Sequence, residues 1–273
     1  MRDHLRAETL KLVRRPAIGA LLAIALILSL TFTYLIPYAG YAGGTGGPRA
    51  ERGLAPLLPE HLVGNSIGGL PVFLGALMLI LGVLAVGSEY AFGTWKTVLT
   101  QNPQRPLLYA AKLVTVCLAA LAGVLAVFAA GAATSLIIAL AEDRPVQWPG
   151  LGDLLAGIGA GWLIAAMWTV LGALLGTALR GVALPIGLGL VWLLAVQNLL
   201  AVIAAPLLDG VAQLQKALPG PNAGSLVAAL GAGTDTPGVA ATVGGTQAIL
   251  VVAAYLLAFA ITGGVLLRRR DIL

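Results

Sequence analysis

The residues that could carry out chemistry are few and scattered along this 273-residue chain. His4 and His61 are the only histidines, and an apolar segment of membrane-spanning length separates them. We therefore expect them on opposite sides of a membrane, which removes a histidine-based zinc site or catalytic triad. Cys117 is the only cysteine, so it has no disulfide partner. The adjacent carboxylates Glu142 and Asp143 are expected in a solvated turn, and we predict no catalytic residue and no metal site.

Nucleotide binding by this chain alone is also excluded by its motifs. The P-loop pattern G-x-x-x-x-G-K-[ST] does not occur in the sequence. The nearest Lys-Thr pair, Lys96-Thr97, follows Trp95 at the position where the pattern requires glycine. We therefore predict that the chain is not itself an enzyme and that it binds no cofactor of its own.

The composition places most of the chain in lipid. Hydrophobic residues make up 59% and charged residues 10%, against about 45–50% and about 25% in soluble domains. These values exclude an ordinary soluble domain, and the high hydrophobicity excludes intrinsic disorder. The net charge of +5 does not indicate a nucleic-acid partner, because the basic residues lie at the ends of apolar runs and not along one face.

Six apolar segments are long enough to cross the hydrocarbon core, which takes about 20 helical residues. An even number of crossings places both termini on one side. Twelve Lys and Arg residues fall on that side and four on the other, which predicts cytoplasmic termini in a multi-pass protein of a bacterial-type plasma membrane. The predicted spans are roughly 17–38, 66–87, 107–140, 151–179, 182–205 and 248–267.

The fold class is therefore an all-α integral membrane protein with one six-span domain over residues 17–267. Residues 1–16 precede it, and apolar positions there recur on one helical face while basic residues occupy the rest. This pattern predicts an amphipathic helix in the headgroup layer, although a simple basic tail is the alternative. Residues 268–273 form a short basic tail. Lys112, near a predicted span end, is expected to reach the headgroups.

Two segments between spans carry further information. Residues 88–106 form the only sizeable cytoplasmic loop, and its charged and apolar residues favour docking to another protein, with a tryptophan anchored in the headgroup belt as the alternative. On the outer side, residues 206–247 open with an amphipathic stretch at 207–218, which predicts a short helix on or within the outer leaflet. The remainder of that segment is interpreted as a flexible link.

Polar residues within the spans are the candidates for a translocation path. None of the spans has an ionisable residue near its middle. We select Asn65 and Ser66 at the second span and Gln197 and Asn198 in the fifth, with interhelical hydrogen bonding as the structural alternative. Glycines in the second and fourth spans, including a G-x-x-x-G at Gly172 and Gly176, predict close helix packing without specifying which helices meet.

The arrangement resembles the permease subunit of ABC-2 type (type-2 ABC) exporters. The basic start resembles the family's elbow helix, and six spans with both ends inside match its layout. The segment from Glu89 through Gly93-Thr94 and Lys96 to Leu99-Thr100, Pro103, Arg105 and Lys112 resembles a family pattern. The ending Leu266-Leu267-Arg268-Arg269-Arg270-Asp271-Ile272 resembles its tail.

The resemblance implies that residues 88–106 couple the chain to a separate ABC ATPase, present in two copies and carrying ATP and magnesium. A second permease copy, giving a homodimer, or a related permease would complete the assembly in the lipid bilayer. The stretch at 207–218 lies where the family has a re-entrant helix. The implied coupling residues are Glu89, Phe92, Gly93, Thr94, Trp95, Lys96, Leu99 and Arg105.

The implied function is export of a hydrophobic or amphipathic substrate, such as a drug, lipid or peptide, as in multidrug efflux. Two other classes remain as alternatives. An ion-coupled secondary transporter needs ionisable residues at membrane depth or an internal repeat, and the sequence shows neither. A non-transport membrane scaffold or membrane enzyme would leave the likeness of residues 88–106 unexplained.

Overall fold

The computed structural model describes residues 2–43, 53–94, 105–200 and 209–269, and within these ranges every regular element is helical. Two short 3-10 turns, Ala55–Leu57 and Pro59–His61, accompany ten helices in the described ranges. The helices are α1 Arg2–Arg14, α2 Pro16–Ala42, α3 Leu62–Ile67, α4 Phe73–Ala91, α5 Arg105–Ala141, α6 Leu151–Leu179, α7 Ala183–Leu199, α8 Asp209–Gln215, α9 Pro219–Ala229 and α10 Gly245–Arg269.

Five helices, α2, α4, α5, α6 and α10, are long and apolar enough to cross a membrane. The predicted spans 17–38, 107–140, 151–179 and 248–267 lie within α2, α5, α6 and α10. The fifth predicted span, 182–205, begins as the apolar helix α7, and its last residues lie outside the described ranges. The sixth crossing therefore stays a prediction.

The second span differs from its predicted range of 66–87. Residues 66 and 67 belong to the short helix α3, and α4 begins only at Phe73 and continues to Ala91. Gly68, Gly69 and Pro71 separate the two helices. Proline lacks a backbone N–H and disfavours helical geometry in the residue before it, so an apolar run that contains Gly-Gly-Leu-Pro does not continue as one helix.

Helix α6 is the centre of the bundle, where Ile164, Met167 and Trp168 are fully buried. Its closest neighbour is α4, and glycines bring the two backbones together. Gly172 lies against the carbonyl of Leu79, and Gly82 against the carbonyl of Thr169. The structure thus identifies which helices the small residues join, because a Cβ at either glycine would overlap backbone atoms of the facing helix.

Residues 209–247 contain a packed helix that the sequence did not predict. Helix α8 falls within the predicted stretch 207–218, and a further helix, α9, follows it with Ala223, Leu226 and Val227 buried against α10 and α6. Pro219 occupies the first turn of α9, where its missing N–H costs nothing. The Ser225 hydroxyl joins this helix to the turn at residues 240–243. The amphipathic pattern found α8 but not α9, whose buried face mixes small and polar residues with Leu226 and Val227.

The two ends of the bundle are distinct. At one end, which we call the α1 end, helix α1 meets the end of α4 and the start of α5, and Leu267 of α10 packs with Val86 and Tyr109. The opposite end, called the far end, carries α3, the start of α6 and helix α9. The N-terminal helix and the end of the last span therefore lie at the same end of the molecule.

Candidate functional site

Four charged side chains form a cluster at the α1 end, which we call the ionic joint: Glu8, Lys11, Glu89 and Lys112. The Lys112 Nζ donates to Glu8 Oε2 at 2.6 Å and to Glu89 Oε1 at 2.8 Å. The Lys11 Nζ donates to Glu8 Oε1 at 2.7 Å and to Glu89 Oε1 at 3.2 Å. Two carboxylates and two ammonium groups thus balance in charge, and they join α1, α4 and α5.

The ionic joint is buried, and its burial determines how much free energy the loss of one of its charges costs. Lys112 and Glu89 are each 1% exposed, Glu8 is 5% exposed, and Lys11 reaches toward solvent. Removing one partner of a buried ion pair costs about 3–5 kcal/mol because the remaining charge is left without compensation. The relative positions of α1, α4 and α5 are therefore fixed by charge as well as by apolar contact.

Local sequence explains why each side chain of the ionic joint lies at this position. Glu8 and Lys11 are three residues apart on α1 and face the same side of that helix. Glu89 lies in the last turn of α4, and Lys112 lies two turns into α5. Leu12, one turn beyond Glu8, is also buried. The face of α1 that carries Glu8 and Leu12 thus packs against protein.

Arg15 makes a second connection between the same elements. It lies between α1 and α2, and its Nη1 donates to Ser88 Oγ at 2.7 Å and to the Leu84 carbonyl at 3.1 Å. The Ser88 hydroxyl also donates to the Leu84 carbonyl, at 2.6 Å. Arg15 thus fastens the junction of α1 and α2 to the last two turns of α4, where its positive charge complements the helix dipole.

The charge states of Glu8 and Lys11 on α1 follow from the surroundings of the two side chains. Burial alone would raise the pKa of Glu8, but Lys112 and Lys11 together lower it below the ordinary value. Burial alone would lower the pKa of Lys11, but its bonds to Glu8 and its attraction to Glu89 raise it. Both groups on α1 are therefore ionised at neutral pH.

The predicted coupling residues divide into four groups. Glu89 is buried in the ionic joint, so its carboxylate is not on an exposed docking surface. Phe92 is 79% exposed, Gly93 has a left-handed φ of 65°, and the Thr94 Oγ1 donates to the Glu89 carbonyl at 3.3 Å. Trp95, Lys96 and Leu99 lie outside the described residues. Arg105 begins α5.

The polar residues selected for a path are divided between α3 and α7. The Asn65 Nδ2 donates to the Pro56 carbonyl at 2.8 Å, and Ser66 is buried. Gln197 is buried and its Oε1 lies against Gly220 of α9, whereas the Asn198 Nδ2 bonds to the Leu194 carbonyl at 2.9 Å.

Sequence reasoning gave no functional role to Glu8, Lys11 or Arg15, and it placed Lys112 at the headgroups. The structure corrects that expectation, because the Lys112 side chain turns inward to two carboxylates. One signal was available: Glu8 is an acidic residue on the otherwise apolar face of α1. Its partner could not be identified, because 104 residues separate it from Lys112.

Comparison with known protein families identifies the family of this chain. A family model described as ABC-2 family transporter protein matches residues 4–196, which include most of α1, the ionic joint and most of α7. No curated protein matched the chain. Since the family model covers more than half of the 273 residues, this chain is a member of the ABC-2 transporter family.

Proposed function

We propose that this chain is the permease of an ABC exporter and moves a hydrophobic or amphipathic substrate, such as a drug, lipid or peptide, out of the cytoplasm or inner leaflet. The family supports the broader statement that it is a permease subunit of an ABC transporter. A separate ATPase supplies the work and carries ATP and magnesium. No bond chemistry takes place in this chain.

The observation that carries the proposal is the ionic joint. It lies at the start of segment 88–106, and it links that segment through Glu89 to α1 and through Lys112 to α5. A displacement imposed on the segment by a docked ATPase would therefore move α1, α4 and α5 together. Glu89 acts in this scheme as a positioning residue, and exposed neighbours such as Phe92 make the contact.

The proposed orientation places the α1 end in the cytoplasm. Twelve of the 16 Lys and Arg residues fall on that side in the predicted topology. Arg268 and Arg269 end α10, whose Leu267 packs at the same end as α1, so the basic residues of both termini lie together. An ATPase that docks on segment 88–106 would then reach cytoplasmic ATP.

The assembly proposed is two ATPase subunits with two permeases, either two copies of this chain or this chain and a relative. Helix α7 with the residues that follow it would supply the sixth crossing. Asn198 would line the path between permeases, Gln197 packs within the chain against Gly220 of α9, and helices α8 and α9 would cover the outer end of the path.

The test is ATPase stimulation in liposomes that contain this chain and an ABC ATPase that co-purifies with it. Glu89→Gln is expected to reduce stimulation about tenfold or more, because it removes one charge from the ionic joint. Glu142→Gln is the matched control, since this carboxylate lies at the far end and accepts a 2.9 Å hydrogen bond from Tyr38. Equal stimulation in both variants would contradict the proposed role of Glu89. Uphill transport by the chain without an ATPase would refute the permease assignment.

A further inference from the structure

Two cavities lie side by side between α2 and the helices α3 and α4. The large cavity has a volume of about 620 Å³, and Leu28, Phe32, Asn65, Leu77 and Thr236 are among its lining residues. The small cavity has a volume of about 110 Å³ and is lined by apolar residues of α2, α4 and α5 together with Ser66. Leu74 lines both, so the two cavities meet at one side chain.

The large cavity has the size and lining of a small-molecule site. Such sites have volumes of about 300–1,000 Å³, with mostly apolar walls and a few polar groups. Here the walls are leucine, phenylalanine and proline, and the polar groups include His61, Asn65 and Thr236 near the far end. A ligand with an apolar body and one polar end fits this distribution.

Helix α2 forms one wall of both cavities and also has exposed apolar side chains. Ile24, Ile27 and Phe32 of this helix are 47%, 61% and 56% exposed, and five residues from Thr31 to Leu35 form a π-helical turn. Phe32 both lines the large cavity and faces outward. A ligand already dissolved in the bilayer therefore has a lateral route beside α2.

Ser66 favours a ligand that carries a hydrogen-bond acceptor. Its side chain is 4% exposed and lines the small cavity, and its Oγ has no hydrogen-bond partner among the described residues. Leaving a buried hydroxyl unpaired costs about 1–3 kcal/mol. A small shift of the neighbouring side chains would expose this oxygen to the cavities, where an acceptor on a ligand would recover that free energy.

We propose that the two cavities form one site for a single-chain amphiphile that carries an ester or amide carbonyl. The alkyl chain lies among the apolar side chains, the carbonyl accepts a hydrogen bond from Ser66 Oγ, and the polar head lies near His61 and Thr236. This inference rests on the proposed function only in treating the ligand as cargo, since binding itself requires no ATPase.

The first experiment uses a lysophosphatidylcholine with a photoreactive diazirine in its chain, added to the purified chain in lipid nanodiscs. Labelled peptides are expected from α2 and α4. Leu28→Trp narrows the large cavity and is expected to reduce labelling about tenfold, equivalent to about 1.4 kcal/mol of binding free energy. Ile27→Trp, on the adjacent lipid-facing residue, is the control and should label normally. Equal labelling of the two variants would overturn the site.

The second experiment tests Ser66 with two probes that differ only in an ester or ether linkage. The unsubstituted protein is expected to prefer the ester probe about fivefold, because one hydrogen bond contributes about 1 kcal/mol. Ser66→Ala should remove that preference while leaving the ether probe unchanged. Loss of binding of both probes, or an undiminished ester preference, would contradict the proposed contact.

A third measurement separates cargo from resident lipid. Excess diacyl phosphatidylcholine should fail to displace the probe, and displacement by it would overturn the single-chain assignment. Normal ATPase coupling in a protein that binds no probe would refute this site and leave the proposed function standing. Probe binding without ATPase coupling would support this site and contradict the proposed function.

Discussion

The Lys112 ammonium lies 2.8 Å from Glu89 Oε1 and 2.6 Å from Glu8 Oε2, so one cation holds two helices against α5. Both distances are typical of charge-assisted hydrogen bonds. Because Lys112 is 1% exposed, these contacts are not surface ion pairs, whose contribution is about 0–1 kcal/mol. They are the structural basis for including α1 in the proposed transmission from segment 88–106.

Charge balance in the ionic joint predicts that substitutions at Lys112 and Glu89 have non-additive effects on the free energy of unfolding. Lys112→Met leaves two carboxylates with one ammonium and should lower the free energy of unfolding by about 3–5 kcal/mol. Adding Glu89→Gln restores neutrality and should recover part of this loss. Thermal unfolding in detergent measures both, with Lys216→Met as the exposed control. Additive losses in the double variant would contradict the charge argument.

The pH dependence of stability has a defined sign. The pKa of Glu8 lies below its ordinary 4.5, so its ionised form stabilises the fold above pH 4.5 and this contribution is lost as pH falls through the lowered value. The pKa of Lys11 lies above 10.5, so its contribution is present below pH 10.5 and is lost as pH rises through the raised value. As the pH is lowered from 7 to 3, the unfolding temperature of Glu8→Gln should therefore fall less steeply than that of the unsubstituted protein.

Close packing of α4 against α6 predicts that alanine is not tolerated at its glycines. Gly172→Ala and Gly82→Ala should each cost about 1–3 kcal/mol, because the added methyl group meets the backbone of the facing helix. Gly159→Ala lies on the same helix as Gly172 with open space around it, so it should be neutral or stabilising. Similar unfolding temperatures for Gly159→Ala and Gly172→Ala would show that the helices are less closely packed.

Substitution by alanine should lower the free energy of unfolding at one buried serine and leave it unchanged at another. Ser225 Oγ accepts from the backbone N–H groups of Thr242 and Val243 at 3.1 and 3.3 Å, so Ser225→Ala should cost about 1–3 kcal/mol. Ser66→Ala removes a hydroxyl without a partner among the described residues and should not destabilise the ligand-free protein. Chemical denaturation of both variants measures the difference. A larger loss for Ser66→Ala would contradict both assignments.

Sidedness can be tested with single cysteines in a Cys117→Ala background. Phe92 and Leu151 are 79% and 73% exposed, and they lie at opposite ends of the bundle. An impermeant thiol reagent applied to intact cells should label Leu151→Cys and not Phe92→Cys, and both should react after lysis. A reporter fused after Leu273 should likewise appear in the cytoplasm. Labelling of Phe92→Cys from outside would invert the topology.

Much of the architecture could be predicted because lipid imposes simple rules on a sequence. A helix must satisfy its own backbone hydrogen bonds and needs about 20 apolar residues to cross, so α5, α6 and α10 were located within a few residues. The same rule misplaced the start of the second span, since apolar composition does not register the break at Pro71.

The amino-acid sequence by itself determined the membrane class, the approximate spans, the charge asymmetry and the likeness to ABC-2 permeases. Only the tertiary structure decided that Lys112 turns inward to Glu8 and Glu89, that Gly172 faces Leu79, and that α9 is a packed helix. The physical reason is that spans and topology depend on free energies of transfer summed along the chain. An ion pair across 104 residues, or a glycine fitted against one carbonyl, depends on how separate helices meet in space.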